Sequence, residues 1–229
     1  MSEFEDFLRK QDEIYSKFRS SPVKSEGVES SQAISKCQGG YIVALRHPAS
    51  ITDAVADFSR KIAAAVPALV YDENSIHTSI AVYGLQDDFI HDTSVLKSLS
   101  ACLQPICSHD VRGRVTSSPI RYQEWLFNQD SVIVGGAPSD RFFYMGKIIV
   151  DSLKENGIEV RPPWGAHITA SRYTQSRKPE ELVEFFELME HAPVLGLSRP
   201  LYLDVGYFRS SPERFYLETY ERFSLKTSF

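Results

Sequence analysis

Apolar and polar positions alternate along this chain with two periods, and the switch between them marks out its elements. Phe4, Phe7, Leu8, Tyr15 and Phe18 recur at helical spacing, which predicts an amphipathic helix over residues 3–18. Residues 20–36 are serine-rich, with Pro22 and Gly27 among mixed charges, and read as a linker. From Tyr41 the pattern becomes regular. Residues 41–47 form an apolar run stopped by Pro48, a buried strand. Ser50 and Asp53 resemble a capping box, and Val55, Phe58, Ile62 and Val66 continue one helical face. A strand through 76–83 ends at Gly84. A helix follows Asp92-Thr93, with Val95, Leu96, Leu99, Cys102, Leu103 and Ile106 inward. Two strands over 118–128 and 131–137 are joined at Gln129-Asp130.

The scheme then begins again. Asp140 can cap a helix carrying Phe142, Met145, Ile149 and Leu153, stopped by Asn156-Gly157. A strand near 166–173 is followed by Pro179 at a first helical position and a stripe of Leu182, Phe185, Phe186 and Met189. Strands over 197–208 and 214–222 flank a Ser-Ser-Pro-Glu turn at 210–213. Ser50 precedes His77 by 27 residues, and Asp140 precedes His167 by the same 27. The expectation is two α+β halves related by a pseudo-two-fold axis over residues 41–229, preceded by a helix and linker over 1–40.

At 229 residues the chain suits one large domain or two lobes sharing a core. Its net charge of −5 argues against a grip on long duplex nucleic acid, which needs a basic surface. A local basic pocket for a small phosphorylated ligand stays open, and Arg112, Arg114 and Arg121 form a mildly basic stretch. No apolar run reaches the roughly 18 residues that span a bilayer. The acidic N-terminus lacks a secretory h-region. Cys37, Cys102 and Cys107 have neither disulfide nor zinc spacing and read as thiols in a reducing compartment. Cytoplasmic residence follows, with the nucleus open, and a monomer is expected.

The chemistry lies in two segments, His77-Thr78-Ser79-Ile80-Ala81-Val82-Tyr83 and His167-Ile168-Thr169-Ala170-Ser171-Arg172-Tyr173. Each has His, a hydroxyl two positions later and Tyr at the seventh. Strand alternation places His77, Ser79, Ala81 and Tyr83 on one face, and His167, Thr169, Ser171 and Tyr173 on another. If the halves pack about a two-fold axis, both faces meet in one cleft. A neutral imidazole can take a proton from the attacking oxygen while a protonated one supplies the leaving oxygen. Ser79 and Thr169 can donate to non-bridging phosphate oxygens. Tyr83 and Tyr173 are candidate ligand contacts, with core or rim packing as the alternative. Nothing in this set needs a metal or cofactor. A lone histidine in a strand is usually structural; the pairing is what gives the signal weight. His47, His91, His109 and His191 read as surface or cap residues. Gly135-Gly136 lacks the context of a phosphate loop.

The segment His77–Gly84 resembles the His-x-Thr-hydrophobic-x-Phe-hydrophobic-Gly motif of the two-histidine (2H) phosphoesterase superfamily. That superfamily includes the bacterial RNA 2′,3′-cyclic phosphodiesterases also called 2′-5′ RNA ligases. His167–Arg172 resembles the second motif, His-hydrophobic-Thr-hydrophobic-x-Arg. The resemblance covers residues 41–225. It implies a bilobal α+β fold with antiparallel sheets around a central cleft and helices outside. It implies that His77 and His167 are catalytic and that Ser79 and Thr169 bind phosphate. Ser79 stands where the family commonly has Thr, as it does in relatives that trim RNA 3′ ends. Arg172 matches the family's arginine, although strand parity turns it from the histidine face and leaves a structural role open. Trp125, Phe127 and Trp164 flank the motifs and either stack a base or pack the core. The reading is a phosphodiesterase acting on a cyclic or 2′-5′ phosphodiester of a nucleotide or short RNA. A 3′-5′ RNA exonuclease and an idle nucleotide- or RNA-binding module are the alternatives.

Overall fold

A computed structural model of the chain describes residues 1–107 and 115–227. Arg112, Arg114 and His109 lie outside the described residues, whereas Arg121 is exposed on a strand. The N-terminal helix α1 (Glu3–Arg19) is closed by a capping box in which Ser2 and Glu5 satisfy each other's backbone N–H. Two short helices follow, α2 (Val23–Glu26) and α3 (Gln32–Ser35).

The body is two copies of one unit. In the first, β1 (Gly39–Arg46) leads through α4 (Ala49–Ala65) to β2 (Thr78–Gln86). The helix α5 (Thr93–Cys107), the short β3 (Thr116–Ser117) and β4 (Ile120–Phe127) come next. In the second unit, β5 (Ser131–Pro138) leads through α6 (Asp140–Glu155) to β6 (His167–Arg172). A 3-10 turn at Pro179–Glu181, α7 (Val183–Glu190), β7 (Gly196–Ser198), β8 (Tyr202–Ser210), β9 (Phe215–Ser224) and β10 (Lys226–Thr227) complete the chain. One antiparallel sheet has the order β2-β1-β8-β9 and the other β6-β5-β4-β7. The motif strand is therefore the edge strand of its sheet in both halves, and each is hairpinned through its helix to the strand beside it.

The halves are interlocked. Helix α4 of the first unit packs on β6 of the second, and α6 packs on β2. Buried Ile51, Val55, Ile80, Phe142, Ile149, Ile168 and Val205 belong to one continuous apolar cluster. A second cluster under α7 holds Phe58, Ile62, Val132, Tyr173, Leu182 and Phe185. No helix among the described residues is long and apolar enough to cross a membrane.

Helix starts differ from expectation. Ser50 and Asp53 form no capping box: α4 begins at Ala49, with Pro48 at the cap and no side-chain hydrogen bond there. Pro48 fixes an extended backbone ahead of the helix and leaves Ser50 inside its first turn. Ser139, not Asp140, caps α6 by accepting from the Phe142 N–H.

Candidate active site

His77 stands immediately before β2, and His167 opens β6. The Thr78 hydroxyl donates to the His167 carbonyl at 3.1 Å, so the two motifs touch directly. Between them lies a cavity of about 330 Å³ whose lining includes His77, Ser79, Trp164, His167, Thr169 and Arg172. The cavity thus unites both histidines and both hydroxyls. Neither the Ser79 nor the Thr169 hydroxyl is committed to another described residue.

Tyr83 and Tyr173 are not among them, because alternation breaks at the same place in both strands. On β1, Ala44 pairs with Ser79 but Val43 with Ala81, so Ile80 is an unpaired bulge residue. On β5, Ile133 pairs with Thr169 but Val132 with Ser171, so Ala170 is bulged likewise. Cross-strand partners share a face. Past the bulge, Tyr83 pairs with Tyr41, with ring centroids 6.0 Å apart, and leaves the cavity face. Tyr173 is fully buried beneath α7, and its hydroxyl has no hydrogen-bond partner among the described residues. The Ser171 hydroxyl also points away and donates to the Leu69 carbonyl at 2.7 Å.

The same bulge corrects the reading of Arg172. Ser131, Ile133 and Gly135 lie on one face of β5, and their partners are Arg172, Thr169 and His167. The guanidinium is therefore on the histidine face, where it lines the cavity and is held by the Asp130 carboxylate. Arg161 also reaches the rim, from a segment whose backbone pairs with Val82.

Each histidine is held in its own way. The His77 Nδ1 lies 2.7 Å from the Ser75 carbonyl. A carbonyl only accepts, so Nδ1 carries a proton and Nε2 is left to act on a ligand. Its ring lies nearly parallel to Phe215, at 6.1 Å and 12°, and Phe215 stacks in turn on Tyr71. His167 stacks closely on Trp164, at 3.8 Å and 19°. Among the described residues no acceptor meets its Nδ1 in hydrogen-bond geometry, although the backbone of nearby Gly165 favours the protonated ring. Burial pushes both imidazoles down, His77 to about 4 and His167 to about 3. Proximity to His77 adds to the shift at His167. Behind His77, a buried Asp204 carboxylate is met by Arg222 at 2.7 Å, by the Thr219 hydroxyl at 2.8 Å and by Arg46 at 3.5 Å.

A groove of about 360 Å³ lies elsewhere, between α1 and α6. Its lysines, Lys10 and Lys147, are paired with Asp6 and Glu3 at 2.7 and 3.0 Å, and no imidazole lines it. Of these two cavities, the imidazoles line only the first described.

Neither a protein-family model nor a curated protein sequence matches this chain. Solved structures do. TT0787 of Thermus thermophilus superposes with a TM-score of 0.57 at 13% identity, over 83% of this chain and 100% of its own. LigT of E. coli, bound to 3′-AMP, gives 0.55 at 13% identity, over 83% and 99%. A structure described as a phosphoesterase gives 0.56 at 13%, over 82% and 98%. The chain shares the fold of LigT and TT0787.

Within that fold, the other residues flagged by sequence fall into place. Trp164 lines the cavity, whereas Trp125 packs on Phe58 and donates its indole N–H to the Pro193 carbonyl. Phe127 packs on Phe185 in the core beneath α7. His191 is exposed at the end of α7, as a cap residue should be. His47 is not a surface residue. It is buried, with Nδ1 2.8 Å from the Ser198 hydroxyl and Nε2 3.1 Å from the Thr78 hydroxyl. Pro48 beside it marks a chain turn at the surface, but the His47 ring itself turns inward to Ser198 and Thr78. Among the described residues no cluster of three His, Cys, Asp or Glu has the geometry to hold a metal ion.

Proposed function

We propose that this protein is a phosphodiesterase that hydrolyses a cyclic or 2′-5′ phosphodiester of a nucleotide or short RNA without a metal. The convergence of His77, His167, Ser79 and Thr169 on one cavity carries the reading. In each turnover one imidazole takes the proton of the attacking water. The other, protonated, supplies the leaving oxygen, and the pair ends with its proton exchanged. Ser79, Thr169 and Arg172 stabilise charge growing on the non-bridging oxygens. Depressed imidazoles suit an anionic substrate: a phosphodiester entering the cavity favours the imidazolium and raises the acid's pKa toward neutrality as the complex forms. LigT, which shares the fold, forms complexes with 3′-AMP, phosphate, NADP+ and ATP. That range supports a nucleotide substrate here.

The test is turnover in EDTA of a 2′,3′-cyclic nucleotide, a 2′-5′ dinucleotide and a 3′-5′ RNA oligomer, with products separated by chromatography. Wild-type activity that falls by about 10²–10⁴-fold in His77→Ala and in His167→Ala is the expected result. Activity that survives either substitution overturns the acid/base pair. Preference for the linear oligomer makes the protein a 3′-5′ exonuclease with the same site. Binding without turnover makes it a binding module.

A further inference from the structure

The N-terminal helix does more than cover apolar surface. The β5–β6 ladder runs from Ser131↔Arg172 to Gly135↔His167. The next residues toward the sheet end, Gly136 and Ala166, are bridged by α1 side chains. The Tyr15 hydroxyl accepts from the Gly136 N–H at 3.0 Å and lies 3.1 Å from the Ala166 carbonyl, to which it donates. The Gln11 amide accepts from the Ala166 N–H at 2.8 Å and donates to the Gly136 carbonyl at 3.1 Å. All four backbone groups of this pair are satisfied by two side chains at i and i+4 of one helix face. Both side chains are buried.

The seat is shaped for this helix. A Cβ at Gly165 would lie 2.8 Å from the Gln11 Cγ, and one at Gly135 would lie 3.1 Å from the Tyr15 ring. The Tyr15 ring also meets Trp164 edge-on at 5.9 Å, and Trp164 is the ring stacked on His167. Two routes therefore run from α1 to His167. One is the spliced ladder immediately before it, and the other is the Tyr15–Trp164–His167 ring contact.

We propose that Gln11 and Tyr15 are positioning residues for His167: α1 completes the end of the β5–β6 ladder and thereby fixes the imidazole in the cavity. The proposal rests on His167 taking part in the reaction, but its geometry can be read without activity. Gln11→Met and Tyr15→Phe delete the hydrogen bonds while keeping the bulk. In the full chain, ¹H–¹³C spectra of the histidine rings follow His167, whose stacking on Trp164 gives it a large ring-current shift. That resonance is expected to move toward its unstacked position in both variants, while exposed His191 stays put. Under the same conditions kcat is expected to fall about tenfold, with KM within about twofold, because reacting-group alignment is lost rather than substrate contacts.

An unmoved His167 resonance in both variants overturns the proposal whatever the kinetics show. A moved resonance with unchanged kcat in an active enzyme also overturns it. Should wild type lack turnover on every substrate, the phosphodiesterase reading fails, and the ring shift still decides whether α1 places His167. If Gln11→Met does not fold, Tyr15→Phe, which keeps the ring on Trp164, decides alone.

Discussion

Arg172 shows how one residue's role turns on one bond pattern. Counting by twos from His167 sends its side chain out of the cavity; the unpaired Ala170 sends it back in. Arg172 is anchored by Asp130 and lines the cavity with Ser79 and Thr169, and on the proposed function its planar fork binds a phosphate oxygen pair. Arg172→Ala is expected to lower kcat/KM by about 10²-fold, in steady-state assays backed by thermal unfolding to monitor loss of the Asp130 pair. Arg172→Lys should recover only part of this, since a lysine lacks the fork. An unchanged kcat/KM in Arg172→Ala would remove it from the site. At this scale the sequence made the two histidines and two hydroxyls legible, because they precede the bulge. Tyr83, Tyr173 and Arg172 follow it, and counting by twos puts all three on the wrong face. A bulge leaves no mark in an apolar-rich strand: Ile80 and Ala170 look like any other strand residue.

Elements are joined at this site by a small buried network. The Thr78 hydroxyl meets Tyr122 at 2.5 Å and His47 at 3.1 Å, and donates to the His167 carbonyl. One assignment satisfies every member. Ser198 donates to His47 Nδ1, His47 Nε2–H and the Tyr122 hydroxyl donate to Thr78, and Thr78 donates to His167. The loop before α4, β2, β4, β6 and β7 are thereby tied at one point. Thr78→Val keeps the shape and removes the acceptor, leaving buried Tyr122 and His47 without it. The expected cost is about 1–3 kcal/mol in chemical denaturation; no change would show that the network merely fills space. Elements themselves were readable where periodicity was strong, as in α1, α5 and the hairpin β4–β5. Thr78 was not readable as a junction, because its partners lie on strands that only the tertiary fold brings together. The helix caps failed for a local reason: Pro48 and Ser139 each stand one or two positions ahead of the residue that carried the expected signal.

For the molecule as a whole, the repeated order of strand, helix and histidine strand made the two-lobed plan legible, although the equal 27-residue spacing does not survive: α4 begins at Ala49 and α6 at Asp140, 28 and 27 residues ahead of their histidines. The crossed packing of α4 on β6 and α6 on β2 was not, since period alone does not say which sheet a helix covers. That crossing encloses three imidazoles. Burial is the main cause in each, and it lowers His47 and His167 to about 3 and His77 to about 4, from an ordinary 6.5. A depressed folded pKa means the folded state holds its imidazoles neutral while the unfolded chain protonates them. Between pH 6.5 and about 4 the unfolded state therefore binds more protons. Stability is complete above pH 6.5 and is lost as the pH falls through this window. The slope approaches about 1.4 kcal/mol per pH unit for each histidine that stays neutral. Urea denaturation at steps from pH 8 to pH 4.5 measures it. His47→Gln separates this effect from catalysis, because a glutamine amide can both donate to Thr78 and accept from Ser198 without titrating. The variant is expected to lose about one proton's worth of slope. A wild-type stability flat from pH 7 to 4.5 would mean that these rings protonate within the folded cavity.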